Sequence, residues 1–165
     1  MNFIEKPGLN IAILDLYDGA ENQGMRGIHD IILNFSVNNS VPTKIEVFNV
    51  RQKVEIPSLD FDLYISTGGP GSPIDSEGEE WDTRYFEWIQ QIDEYNRSGE
   101  NFQKKPVFFI CHSFQLACRY FKIGKLSKRK SNSFGVFPIH LLEDGEREPV
   151  FSGMPNPFYA VDSRD

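Results

Sequence analysis

A cysteine stands where an apolar run meets a helical pattern in the stretch VFFICHSFQLACRYF, Val107 to Phe121. The run before Cys111 predicts a buried strand, and the apolar spacing after it predicts a helix. A nucleophile at such a strand-to-helix turn has a strained backbone and projects from the edge of the sheet. The helix dipole favours a thiolate there, and the next backbone amide can donate to an oxyanion formed by acyl attack. The pattern therefore predicts a nucleophilic thiol at Cys111.

An oxyanion needs a second donor, and the glycine-rich stretch TGGPGSP, Thr67 to Pro73, could supply one. Glycine has no Cβ, so its backbone N–H can closely approach a reacting carbonyl. Each part also has a purely structural interpretation, because free cysteines are usually buried as small hydrophobic residues and Gly-Gly-Pro forms ordinary tight turns. For Cys118, on the apolar face of the predicted helix, we expect this packing role.

Four predicted strands alternate with helices and would position these two stretches. The strands are NIAILDLYDG, KIEVFNV, FDLYIST and PVFFIC. Apolar residues at helical spacing predict one helix through Ile28 and Ile32 and another from Trp81 to Tyr95 that ends at a Gly99 cap. This alternation predicts one α/β domain over residues 1–165, with a doubly wound, mostly parallel sheet in a flavodoxin-like three-layer architecture. Ligands bind at the carboxyl ends of such strands, where the glycine stretch and Cys111 both lie.

Composition narrows the functional class. The 165 residues are 39% hydrophobic, and no apolar run is long enough to span a membrane. The net charge of −7 argues against general nucleic-acid binding, because phosphates would repel such a surface. The two cysteines fit a reducing compartment, so we expect a cytoplasmic protein. The carboxylate run from Asp75 to Asp82 is typical of a solvated helix start, and we expect neither a metal nor a cofactor.

Three blocks in order, ISTGGPGSP, FFICHSFQLA and FGVFPIHLLEDGEREPVFSGMPNPFYAVDSRD, resemble a class I glutamine amidotransferase domain of the GMP synthase type. The resemblance implies that Cys111 attacks the side-chain amide of glutamine, releasing ammonia for a synthase domain or subunit and leaving a thioester that water hydrolyses. The backbones of Gly69 and His112 would form the oxyanion hole. It implies that the glutamine pocket is lined by Gly68, Gln115, Ser133, Phe134 and Gly135.

The chain departs from the family pattern at two points. The family turn reads Gly-x-Cys-x-Gly, whereas this chain has Phe109 and Ser113 in the glycine positions, which predicts an altered turn. The family also takes its general base from a His-x-Glu near the end of the domain. None of the three histidines, His29, His112 and His140, stands at the matching place. We therefore expect a chain truncated at its C-terminal end and inactive as it stands.

Two other functions stay open from the sequence. The departures at Phe109 and Ser113 would also suit a catalytically silent domain that binds a small amide or regulates a partner. A different cysteine enzyme on a similar sheet, such as a γ-glutamyl peptidase or an acyltransferase, would use the same nucleophile. The group that accepts the acyl moiety discriminates these enzymes from a glutaminase.

Overall fold

The computed structural model describes residues 8–100, 103–127, 130–131 and 133–164. The chain divides into two compact units, one ending at Leu126 and one beginning at Ser127. The first unit contains the cysteine turn and the glycine stretch, and the second contains most of the third sequence block. The expectation of one domain over residues 1–165 stays a prediction.

The first unit is built on a four-stranded parallel sheet in the order β2-β1-β3-β4. Its strands are β1 (Leu9–Asp15), β2 (Thr43–Asn49), β3 (Leu63–Ser66) and β4 (Val107–Phe109). Its helices are α1 (Gln23–Asn39), α2 (Val50–Lys53), α3 (Glu80–Arg97) and α4 (His112–Phe121). This confirms the predicted α/β class with a parallel sheet.

Two apolar clusters show that helices cover both faces of this sheet. On one face, α1 buries Ile28 and Ile32 against Ile11, Ile13 and Ile65 of the sheet. On the other face, α3 and α4 pack against alternate residues of the same strands, and the large side chains of that cluster are Tyr64, Trp81, Tyr85, Trp88 and Leu116. Alternate side chains of a strand point to opposite faces, so a sheet buried on both sides reads as nearly continuous apolar sequence.

Local signals are visible at both ends of α1 and at the start of α3. The side chain of Asn22 accepts a hydrogen bond from the Met25 amide and caps α1, which ends at Ser40 in a left-handed conformation. Helix α3 has Glu80 and Asp82 in its first turn, where negative charges interact favourably with the helix dipole. Its predicted cap at Gly99 is wrong, because the helix ends one residue earlier, at Ser98, whose φ of −59° and ψ of 126° are those of extended backbone.

The second unit is built on an antiparallel pair, β5 (Ser133–Ile139) and β6 (Phe158–Arg164). Between these strands lie a short helix, α5 (Glu143–Arg147), and a 3-10 turn at Pro149–Phe151. No helical pattern is visible in this part of the sequence, because a five-residue helix is too short to show periodicity.

Candidate active site

Cys111 occupies a strained turn between β4 and α4. Its backbone has φ 51° and ψ −103°, a conformation that few non-glycine residues adopt. Its carbonyl oxygen accepts a hydrogen bond from the backbone amide of Gln115 at 3.1 Å. This bond starts helix α4 directly after the cysteine. The thiol residue is exposed, whereas Cys118 is partly buried on the same helix. The burial usual for free cysteines therefore does not account for Cys111.

The two residues that depart from the family pattern fit this turn. Phe109 directs its ring into the apolar cluster beneath α3 and α4. Ser113 is fully buried, and its hydroxyl accepts the amide of Ile110 at 2.8 Å and donates to the carbonyl of Ser66 at 2.7 Å. The serine hydroxyl thus holds the strand end and the helix start together.

Further hydroxyl groups extend this support to α3. The hydroxyls of Ser66 and Tyr85 lie 2.7 Å apart, and both residues are fully inaccessible to solvent. Burial raises the pKa of Tyr85, so its hydroxyl stays protonated at neutral pH. Buried hydroxyls that satisfy one another fix a single geometry, and here they connect α3, β3 and the cysteine turn.

The glycine stretch begins at the end of β3 and lies directly beside Cys111. A Cβ placed on Gly68 would be 3.4 Å from the Cβ of Cys111, and one on Gly69 would be 2.2 Å from the carbonyl oxygen of Leu16. Only glycine fits at the second position, because a Cβ there would overlap backbone. The Thr67 hydroxyl accepts the amide of Leu16 at 2.9 Å and donates to the Gly68 carbonyl at 2.9 Å. The stretch is therefore anchored to both β1 and β3.

His112 follows the cysteine, but its ring is buried. The residue is 2% exposed, and burial together with the charge of Arg51 lowers its pKa to about 4. The Gly71 backbone opposes this shift, although neither ring nitrogen makes a hydrogen bond of ordinary geometry within the described residues. The imidazole is therefore neutral at neutral pH. His112 is the first residue of α4, so its backbone amide has no acceptor within the helix and could donate a hydrogen bond to a ligand.

Asp82 fixes the chain that follows the glycine stretch. It is 3% exposed, makes an ion pair with Arg119 of α4, and accepts the Ser76 hydroxyl at 3.0 Å. Arg119 also donates to the Pro73 carbonyl. The expectation that the whole acidic run is solvated is therefore wrong at Asp82, whose buried carboxylate is compensated by its pairing with Arg119.

Tyr17 is a neighbour of the thiol that the sequence did not reveal. Tyr17 follows β1, which is paired with β3 in the sheet. The Cε1 atom of its ring lies 3.8 Å from the position that a Cβ on Gly68 would occupy. Burial raises the pKa of its phenol, and Asp15 and Cys111 add to this rise. The strand NIAILDLYDG carried no catalytic motif, so only the strand order brings this residue to the site.

The other predicted pocket residues divide between the two units. Gln115 is partly buried on the first turn of α4, next to Cys111. Ser133, Phe134 and Gly135 begin β5 in the second unit, where the Ser133 hydroxyl donates to Asp162 at 2.7 Å and Phe134 is 84% exposed. Their contact with glutamine stays a prediction.

Two kinds of feature are absent from the part of the chain that the structure describes. Its histidine, cysteine and acidic side chains form no group of three or more that could hold a metal ion. None of its helices combines the length and apolar character needed to cross a bilayer.

Comparison with known proteins identifies the fold. No family model and no curated protein matches the chain. Among solved structures, a glutamine amidotransferase from Thermotoga maritima matches with a TM-score of 0.68 and 13% identity, over 94% of this chain and 60% of that one. The chain therefore shares its fold with that protein over the matched residues.

Two other solved structures match over the same share of this chain. The glutaminase domain of Trypanosoma brucei CTPS, solved with bound acivicin, has a TM-score of 0.61 and 12% identity, with 66% of its chain covered. The protein SMU.1228c has a TM-score of 0.61 and 16% identity, with 61% covered. The chain thus spans less than two thirds of the length of each of these structures.

Proposed function

We propose that this chain forms the nucleophile-bearing part of a glutaminase, which hydrolyses glutamine to glutamate and ammonia through a thioester on Cys111. The observation that carries the proposal is the strained, exposed cysteine between β4 and α4, directly beside Gly68. The amidotransferase fold supports it, since fold and nucleophile geometry lead to the same class of reaction.

The reaction proceeds in two displacements at one carbonyl carbon. The Cys111 thiolate attacks the glutamine side-chain amide, and an S–C bond forms while the carbonyl oxygen becomes an oxyanion. The C–N bond then breaks, and the nitrogen takes a proton and leaves as ammonia. Water attacks the resulting thioester, which releases glutamate and regenerates the thiol. We assign the oxyanion hole to the amides of Gly69 and His112, with Gly68 and Gln115 contacting the substrate.

We propose that none of the three histidines in this chain is the general base. The His112 ring is buried beneath the glycine stretch, His29 lies on α1, and His140 is exposed in the second unit. General acid–base catalysis contributes about 10²–10⁴-fold, so this chain alone should hydrolyse glutamine very slowly. Rapid ammonia release that His112→Ala abolishes would contradict this assignment.

We further propose that the ammonia passes to a synthase domain or subunit in the cytoplasm. The sequence blocks favour a domain of the GMP synthase type, because they include the Pro149–Pro155 stretch PVFSGMP. The acceptor is tested by adding candidate synthases and measuring glutamine-dependent product formation against free ammonia as a control.

Covalent labelling tests the central claim without requiring turnover. A glutamine-mimicking electrophile such as acivicin should modify Cys111, and excess glutamine should slow the modification. Cys118→Ala is the matched control and should label normally, whereas Cys111→Ala should not label. Faster labelling of Cys118 would refute the assignment of the nucleophile.

The same experiment separates the two alternative functions. A silent binding domain would bind glutamine without covalent modification, and its binding would survive Cys111→Ala. Another cysteine enzyme would label at Cys111 but without protection by free glutamine, because its acyl donor is different.

A further inference from the structure

The ring of Tyr17 lies between two glycines that leave room for it. A Cβ on Gly24 would stand 2.1 Å from its phenol oxygen, and a Cβ on Gly68 would stand 3.8 Å from its Cε1 atom. Gly24 lies in the first turn of α1, so the hydroxyl end of the ring rests against that helix. Any side chain at position 24 would displace the ring from this slot.

The other side of the slot faces the nucleophile. The same Gly68 position that is near the Tyr17 ring is 3.4 Å from the Cβ of Cys111. The aromatic ring and the thiol residue therefore flank one glycine, and the ring is only partly buried. An aromatic ring has few rotatable bonds, so a ring whose hydroxyl end rests against α1 makes a firm boundary for anything bound at the thiol.

We propose that Tyr17 is a specificity-determining residue of the Cys111 site, whose ring limits the width beside the thiol to an unbranched carboxamide side chain. This inference rests on the proposed glutaminase function and specifies its substrate class. Acyl groups branched next to the carbonyl, or bearing bulky substituents, would meet the ring before reaching the sulfur.

The ring, and not its hydroxyl, performs this role. The phenol oxygen rests at Gly24, on the side of α1, whereas the Cε1 edge lies near Gly68 and the thiol. The raised pKa of the phenol keeps it protonated at neutral pH, so it adds no charge at the site. Tyr17→Phe should consequently preserve the boundary that Tyr17→Ala removes.

The test measures alkylation of Cys111 by iodoacetamide and by a bulky N-aryl maleimide, with peptide mass mapping to separate it from Cys118. In Tyr17→Ala, the ratio of maleimide to iodoacetamide rates at Cys111 should rise about tenfold, the scale of a steric change in a pocket. The ratio at Cys118 should not change, which excludes general unfolding. Tyr17→Phe should restore the native ratio. An unchanged ratio in Tyr17→Ala would overturn the proposal.

A second variant displaces the ring without removing it. Gly24→Ala should change the ratio of maleimide to iodoacetamide rates at Cys111 in the native protein. It should have no effect on that ratio in Tyr17→Ala, because it acts only by displacing the Tyr17 ring. Gly27→Ala is the matched control, since nothing lies within 4 Å of a Cβ at that position of the same helix. An effect of Gly24→Ala that is equal in both backgrounds would overturn the proposal.

These readouts distinguish failure of this proposal from failure of the proposed function. If glutamine does not protect Cys111 from acivicin but Tyr17→Ala still changes the size selectivity, the glutaminase is refuted and the ring still bounds the thiol. If glutamine protects but the ratios do not change, the glutaminase stands and Tyr17 does not set its specificity.

Discussion

The buried imidazole of His112 should make the stability of the protein depend on pH. Its pKa in the folded protein is about 4, against an ordinary value of 6.5 in the unfolded chain. Protonation therefore favours unfolding, so the stability contribution is complete above pH 6.5 and is lost as the pH falls towards 4. This difference in pKa corresponds to a stability contribution of at most about 3 kcal/mol, of which about 2 kcal/mol should be lost by pH 5.

Urea unfolding of the native protein and of His112→Gln, measured between pH 7.5 and pH 5, isolates this contribution. Glutamine stays neutral throughout, so the free energy of unfolding of the native protein should fall more steeply with acid, by about 2 kcal/mol over the range. His140→Gln, a change at an exposed histidine of the second unit, serves as the control. Parallel curves for the native protein and His112→Gln would refute the reasoning, as would an NMR titration midpoint of the ring near 6.5.

Three further changes test the support of the turn, each by chemical denaturation. Ser113→Ala removes a hydroxyl with two backbone partners and should lower the free energy of unfolding by about 1–3 kcal/mol, while a loss below about 0.3 kcal/mol would contradict its role. Gly69→Ala should be strongly destabilising because its Cβ meets the carbonyl of Leu16, directly after β1, whereas Gly99→Ala, in open space, should be nearly neutral. Asp82→Asn leaves the partly buried guanidinium of Arg119 without its counter-ion and should cost about 1–3 kcal/mol, so native-like stability would argue against the pair.

The architecture was predictable because it depends on periodicity along the chain. Apolar runs and helical spacing indicated the four strands and the helices α1, α3 and α4, and the alternation of strands and helices indicated a parallel sheet. Local steric rules also placed Cys111 at a turn. The roles of Gly69, His112 and the other pocket residues stay predictions.

The features that the sequence did not reveal depend on partners far along the chain. Asp82 is buried because Arg119 pairs with it, and the Ser113 hydroxyl has a partner on β3. Tyr17 approaches the thiol only because β1 and β3 are neighbours in the sheet. No local pattern encodes such pairings, since they are properties of strand order and helix packing.

The hydrogen bond between Ser113 and Ser66 joins residues 47 positions apart, and this separation has a consequence for folding. Parallel strands pair only after long loops close, which makes such contacts late events in folding. Because the Ser113 hydroxyl ties the start of α4 to β3, we expect the backbone conformation of Cys111 to form only when both elements are in place. In a newly synthesised chain, Cys111 is therefore expected to take up its strained conformation only after β3 and β4 have paired.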